Sequence, residues 1–202
     1  DNLLNDIETI LGNYGEPFCD DSAIPSYYVS KEAKKYLTVI LNGDGSDEVF
    51  GGYRRYVPFS KFDFFNTSGF TRGAASFLKR ITPVVHEKQS MMNYMYRLFD
   101  LASKKGLSSY ISSTTDIFEG YEKCFINSND SCLASLKEKF LQINKSSLSG
   151  LQKIMCMDFN TILPDVLLVK MDIATMAHSL EGRSPFLCKE ILEYVPGLND
   201  KH

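Results

Sequence analysis

Residues 37–56, "LTVILNGDGSDEVFGGYRRY", set a β-branched apolar run directly before three carboxylates and four glycines. Leu37 to Leu41 predicts a strand of the kind buried on both faces of a sheet. A glycine-rich turn at the carboxyl end of such a strand is where α/β proteins place ligands. Gly43 and Gly45 are expected to take positive φ and let the backbone approach a ligand closely. Asp44, Asp47 and Glu48 repel phosphate, but they can hold Mg²⁺, which then neutralises phosphate oxygens. A magnesium–phosphate site therefore fits Asp44 and Asp47 better than a bare anion cradle. An EF-hand loop starting at Asn42 would need glycine at 47 and glutamate at 53, where this chain has Asp47 and Tyr53. A P-loop would need G-K-[ST], which is absent. A structural reading stays open for any one carboxylate: Asp47 and Glu48 as caps of the next helix, Asp44 in an Asx turn.

One strand cannot make a sheet, so the partners of Leu37–Leu41 are expected from outside the chain. The rest reads as helix. Leu3, Leu4, Ile7, Ile10 and Leu11 recur at helical spacing over 2–15. Pro17 and Pro25 mark 16–25 as a loop, and 26–36 reads as a helix with Lys31, Lys34 and Lys35 at its basic end. Further helices are predicted near 58–65, 70–81, 88–103, 107–112, 132–143 and 147–162, with Asp130 or Ser131 as an N-cap. Asp165 to Leu180 is the most regular helix, with Val166, Val169, Ile173, Met176, Ala177 and Leu180 on one broad face. "EGRSPF" interrupts it, and Lys189 to Tyr194 begins another.

Composition bounds the function. With 202 residues, 44% apolar and 23% charged, the chain is an ordinary globular sequence of one sizeable domain or two small ones. A net charge of −3 from 22 basic and 25 acidic residues makes no electrostatic case for nucleic acid. No apolar run reaches the length of a membrane span, and no secretion signal opens the chain. Cys19, Cys124, Cys132, Cys156 and Cys188 are scattered with no C-x-x-C pair, which reads as free thiols in a reducing cytoplasm. The chain begins at Asp1 rather than Met, and it reads as a piece of a longer protein.

A second constellation lies in "VLLVKMDIATMAHSLEGRSPF", residues 166–186. Lys170, Asp172, His178, Glu181 and Arg183 are set in an otherwise apolar helix and its exit. Ala174 and Ala177 share the side of Lys170 and leave room for a close neighbour. Glu181 and Arg183 flank Gly182, a spacing for a partner-fixing ion pair or a bidentate carboxylate grip. A buried ion pair holding the helix end is the structural alternative. His178 reads as a hydrogen-bonded packing residue.

Three phrases together resemble one family. "EPFCDDSAIPSYYVSKEAKK", "VILNGDGSDEVFGGYRRY" and "LPDVLLVKMDIATMAHSLEGRSPFL" are similar, in that order, to blocks of the synthetase domain of glutamine-hydrolysing asparagine synthetases and their amidotransferase relatives. They cover 16–56 and 163–187. The fold implied is the helical C-terminal part of an adenine-nucleotide α-hydrolase-like (PP-loop ATP pyrophosphatase) synthetase domain: an α/β fragment, predominantly α-helical, with few strands of its own. The activity implied uses ATP and Mg²⁺ to turn aspartate into an aspartyl-adenylate, releasing pyrophosphate, after which glutamine-derived ammonia displaces AMP. The resemblance makes Asp44 and Lys170 catalytic candidates. It places Gly43, Gly45, Ser46 and Asp47 at the pyrophosphate site, with Asp47 as metal ligand, while Glu181 and Arg183, by their spacing, are the substrate-binding candidates. Small-molecule partners, a cytoplasmic location and a homodimer of the full-length protein are consistent with it.

The departures are specific. No Ser-Gly-Gly-x-Asp-Ser turn precedes "EPF", and no glutaminase domain with an N-terminal Cys is present. The chain alone is therefore expected to be inactive. Ile173 stands where many members carry Lys or Arg, and Lys170, nearly one turn earlier, is the candidate substitute. Cys188 replaces an Asp whose loss bears on helix capping. Two other readings stay open: an amidotransferase for a sugar, peptide or β-lactam precursor, and a non-catalytic helical interaction module.

Overall fold

Strand β1 (Val39–Leu41) does find a partner within the chain: β2 (Glu181–Arg183) lies parallel to it, with Ile40 opposite Gly182. The expectation that every partner strand lies elsewhere is corrected, and so is that of a strand buried on both faces. Val39 and Leu41 are exposed. In the computed structural model, residues 3–18, 20–83, 90–114 and 131–198 are described. They divide into one unit formed by the stretches up to Gly52 and from Asp158, and a second unit from Tyr53 to Met157.

In the first unit, α1 (Leu3–Tyr14), α2 (Ala23–Ala33) and α10 (Leu168–Met176) pack together beside the strand pair. Ile10, Tyr14 and Ala23 form its buried apolar cluster, with Val169 and Ile173 packed against them. Helix α2 starts three residues before the predicted Ser26. Pro25 sits in its first turn, where its missing N–H would have no intrahelical acceptor. The predicted helix 165–180 divides into a π-turn at Leu163–Leu167, which carries Pro164, and α10. Met176 and Ala177 are exposed, so the buried side of α10 is Lys170, Ala174 and Thr175 rather than the full apolar stripe. Ser179 ends the helix at φ +53, its carbonyl accepting from Lys34 Nζ at 2.6 Å, and Glu181 N then reaches Thr38 O at 2.9 Å to start β2.

The second unit is all helix among its described residues: α4 (Val57–Lys61), α5 (Gly69–Ile81), α6 (Met91–Ser103), α7 (Leu107–Thr114), α8 (Ser131–Asn144) and α9 (Gly150–Phe159, which runs on past Met157). The predicted 58–65 helix is two pieces, because Asp63 accepts from Phe65 N and Asn66 N and starts a separate 3₁₀ turn at Phe64–Asn66. Tyr56, Phe59, Phe64, Phe65, Leu101, Tyr110, Phe140, Ile154 and Met157 make an aromatic core. Asp130, one of the two N-cap candidates for α8, lies outside the described residues, as do Cys19 and Cys124.

Candidate active site

The carboxyl end of β1 feeds a tight turn into α3 (Ser46–Phe50). Ser46 N donates to Gly43 O at 3.1 Å and Val49 N to Gly45 O at 3.0 Å, closing the loop on itself. Gly45 stands at φ +86, and a Cβ there would lie 2.3 Å from Leu187 Cδ2. Only glycine meets both demands. Gly43 differs from expectation: its φ is not positive and a Cβ would meet nothing within 4 Å. The Asx turn also belongs to Asn42 rather than Asp44, since Asn42 Oδ1 accepts from Asp44 N at 3.3 Å and from Ser184 Oγ at 2.7 Å.

The three carboxylates do not converge. Glu48 is buried at 2% exposure, whereas Asp44 and Asp47 are half-buried. Among the described residues no three His, Cys, Asp or Glu side chains gather into a metal-binding group. Asp47 lies against Gly52, where a Cβ would sit 2.0 Å from its Oδ1. Gly52 is thus a residue of the site that sequence reading did not single out, although the second glycine of "FGGY" was its signal. Asp44 Oδ2 is buried and has no hydrogen-bond partner. Burial pushes the Asp44 carboxyl above its ordinary value, Lys170's charge draws it back, and Glu48 adds to the rise.

Lys170 is 8% exposed and reaches back from α10 to the start of α2. Its Nζ donates to Asp20 Oδ2 at 3.0 Å and to Ser22 Oγ at 2.8 Å. Nothing in the sequence alone pairs Asp20 or Ser22 with a lysine some 150 positions away. Ile173 packs into the apolar cluster with Val169, so it brings no charge to the site. Tyr14 Oη donates to the Lys170 carbonyl at 3.3 Å and braces the same turn.

Glu181 and Arg183 lie in β2 rather than at a helix exit. Their ion pair, Arg183 Nε to Glu181 Oε1 at 2.8 Å, is exposed at both ends, which corrects the buried-pair alternative. Asn42 N donates to Arg183 O at 2.9 Å and ties β2 to the start of the acidic loop. Beside the carboxyl ends of both strands opens a cleft of about 390 Å³, lined in part by Asn42, Asp172, Thr175, Gly182 and Ser184. The His178 ring packs tilted against the Tyr27 ring, centroids 4.3 Å apart, and burial, with Lys31's charge, holds its imidazole below the usual range against a hydrogen bond to the Tyr27 backbone. Cys188 is the N-cap residue of α11 (Lys189–Tyr194) and makes no side-chain cap bond, in keeping with a position where a carboxylate would cap.

The asparagine synthase family model matches residues 1–202. The chain belongs to the asparagine synthase family. Asparagine synthetase relatives match it over most of its length or over part of it. It is 32% identical over 202 residues to asparagine synthetase (glutamine-hydrolyzing) 1 of Bacillus subtilis, covering 98% of this chain and 30% of that protein. A putative asparagine synthetase (glutamine-hydrolyzing) of Mycobacterium bovis is 24% identical over 194 residues, covering 95% of this chain and 28% of its own. The Methanocaldococcus jannaschii putative asparagine synthetase (glutamine-hydrolyzing) 2 is 53% identical over 51 residues, 25% of this chain and 10% of that protein. This chain thus spans less than a third of the length of these relatives. No solved structure matches it significantly.

Proposed function

We propose that the chain forms part of an ATP-dependent ligase of the asparagine synthetase type, in which aspartate is adenylated with release of pyrophosphate and glutamine-derived ammonia displaces AMP. The observation that carries this reading is the unpartnered, buried Oδ2 of Asp44 set in the field of the Lys170 ammonium at the carboxyl end of a parallel strand. A buried carboxylate oxygen without a partner is costly unless a ligand completes it. In this reading Lys170 faces the negative charge that develops as adenylate forms and pyrophosphate departs. Asp44 orients the reacting carboxyl, and the turn through Gly43, Gly45 and Ser46 shapes the loop backbone at the pyrophosphate. The strand pair and its helices then belong to an adenine-nucleotide α-hydrolase-like sheet.

The donor set suits Mg²⁺ shared with phosphate rather than a metal held by protein alone. One or two carboxylates with phosphate oxygens is this ion's usual arrangement, and the spread of Asp44, Asp47 and Glu48 offers no more. Asp47 would hold the ion, which when bound neutralises pyrophosphate charge.

Thermal unfolding of the chain with millimolar Mg²⁺ and pyrophosphate, together and singly, tests the reading. The pair together is expected to raise Tm by about 2 °C or more, with no such rise for Asp47→Asn. A chain indifferent to the pair would instead favour a non-catalytic helical module.

A further inference from the structure

Lys170 does not act from a free side chain. An ammonium carries three N–H donors on a flexible stem, and two of them are already committed, to Asp20 Oδ2 at 3.0 Å and Ser22 Oγ at 2.8 Å. The two acceptors are themselves joined. Asp20 Oδ1 accepts from Ser22 Oγ at 2.6 Å and from Ser22 N at 2.9 Å. The Ser22 hydroxyl therefore gives its one proton to Asp20 and accepts from Lys170, and the three side chains close into a ring that uses two of the three ammonium protons. Ser22 is the N-cap residue of α2, yet its side chain makes no cap bond. Its hydroxyl is used for the ring, not for the helix. Asp20 likewise divides its oxygens, one bracing Ser22 and one holding the lysine.

We infer that Asp20 and Ser22 are positioning residues that clamp the Lys170 ammonium by two donors and leave the third directed to an anionic substrate group. This rests on the adenylation reading above, and it adds to that reading two residues from the far end of the chain. An ordinary ion pair between α2 and α10 would need only one carboxylate and would leave the ammonium free to rotate. A clamp of two acceptors at fixed separation removes that rotation before substrate arrives, which is how a charge comes to stabilise a transition state without reorganising. The direction of Asp20's titration agrees with this geometry. Burial alone would raise its carboxyl, but the hydrogen bonds from Ser22 and Lys170, with the lysine's charge, hold it below the ordinary range.

Competitive reductive methylation of the folded 202-residue chain, read peptide by peptide in a mass spectrometer, tests the clamp. Lys170 is expected to label far more slowly than the exposed Lys35. Asp20→Asn should speed Lys170 about tenfold and Ser22→Ala several-fold, while Ser22→Thr, which keeps the hydroxyl, should label as the wild type does. Lys35 and the Asp21→Asn control should not change. If Asp20→Asn unfolds the chain, all lysines accelerate together, and the Ser22→Ala and Ser22→Thr pair decides. A Lys170 rate within twofold of wild type in folded Asp20→Asn or, where that variant unfolds, in Ser22→Ala overturns the clamp. The catalytic consequence is read in the whole protein as aspartate-dependent AMP release. Asp20→Asn should lower kcat about tenfold or more with the KM for ATP within twofold, and an unchanged kcat overturns the positioning role even if labelling accelerates. Should the wild type release no AMP with aspartate, the adenylation reading falls and the positioning role with it, while the labelling still shows whether the ring exists.

Discussion

Asp44 is held in a state that its own fold disfavours. Burial raises its carboxyl, Glu48 raises it further, and Lys170 offsets only part of the effect. A carboxyl raised in the folded chain favours folding while it is protonated, and that contribution is lost as pH rises through the folded-state value. At neutral pH the ionised group therefore works against the fold. Asp44→Asn is expected to be more stable than wild type in urea at pH 7, with the difference shrinking as the pH is taken toward about 4. An Asn variant less stable at pH 7 would show that the carboxylate is a structural partner after all. The loop that holds Asp44 was legible in the sequence because one short stretch contains both its glycines and its acids. The burial of Glu48 was not, since adjacent acidic letters carry no sign of which one turns inward. Nor was the Asp20–Lys170 pair, which exists only once α2 and α10 are packed.

Among the elements, the strand that pattern reading passed over is the instructive case. Glu181–Arg183 has two charged residues around a glycine and no apolar alternation, so nothing in its composition marks a strand. It is extended because Ile40 and Leu41 offer a parallel edge at the right register. The helices, by contrast, were mostly legible where apolar residues recur at three and four, although 58–65 and 165–180 each divide, and α11 lies where another helix was expected to begin. The joint of α5, α6 and α7 rests on Asp100, which accepts from Lys79, from Lys104 at 2.8 Å and from Ser112. Burial would raise this carboxyl, but the bonds from Lys104, Lys79 and Ser112 hold it below the ordinary range. A depressed carboxylate stabilises the fold above the unfolded-state value, and the contribution is lost as pH falls through the folded-state one. Asp100→Asn is expected to cost about 2 kcal/mol at neutral pH, and chemical denaturation should find this deficit gone in acid, well below pH 4. A deficit of equal size at both pH values would mean that shape, not charge, holds the joint.

At the scale of the whole molecule, the proposed chemistry exceeds what these 202 residues supply. They hold no Ser-Gly-Gly-x-Asp-Ser turn, and they account for 30% of the Bacillus subtilis relative. Incubated with ATP, aspartate and Mg²⁺, the chain by itself is expected to release no AMP above background. Aspartate-dependent release from it would mean that the nucleotide is held without such a turn. The order in which the chain can fold also follows from its parallel strand pair. Ile40 must wait for Gly182, some 140 positions later, whereas Tyr53 to Met157 form a unit continuous in sequence. On the ribosome, where synthesis runs at about 5–20 residues per second, the inserted unit emerges complete while the first strand still lacks its neighbour. Until β2 emerges, the backbone edge of Val39–Leu41 that it will pair stands open to other chains, and the closing of so distant a contact is expected late in folding.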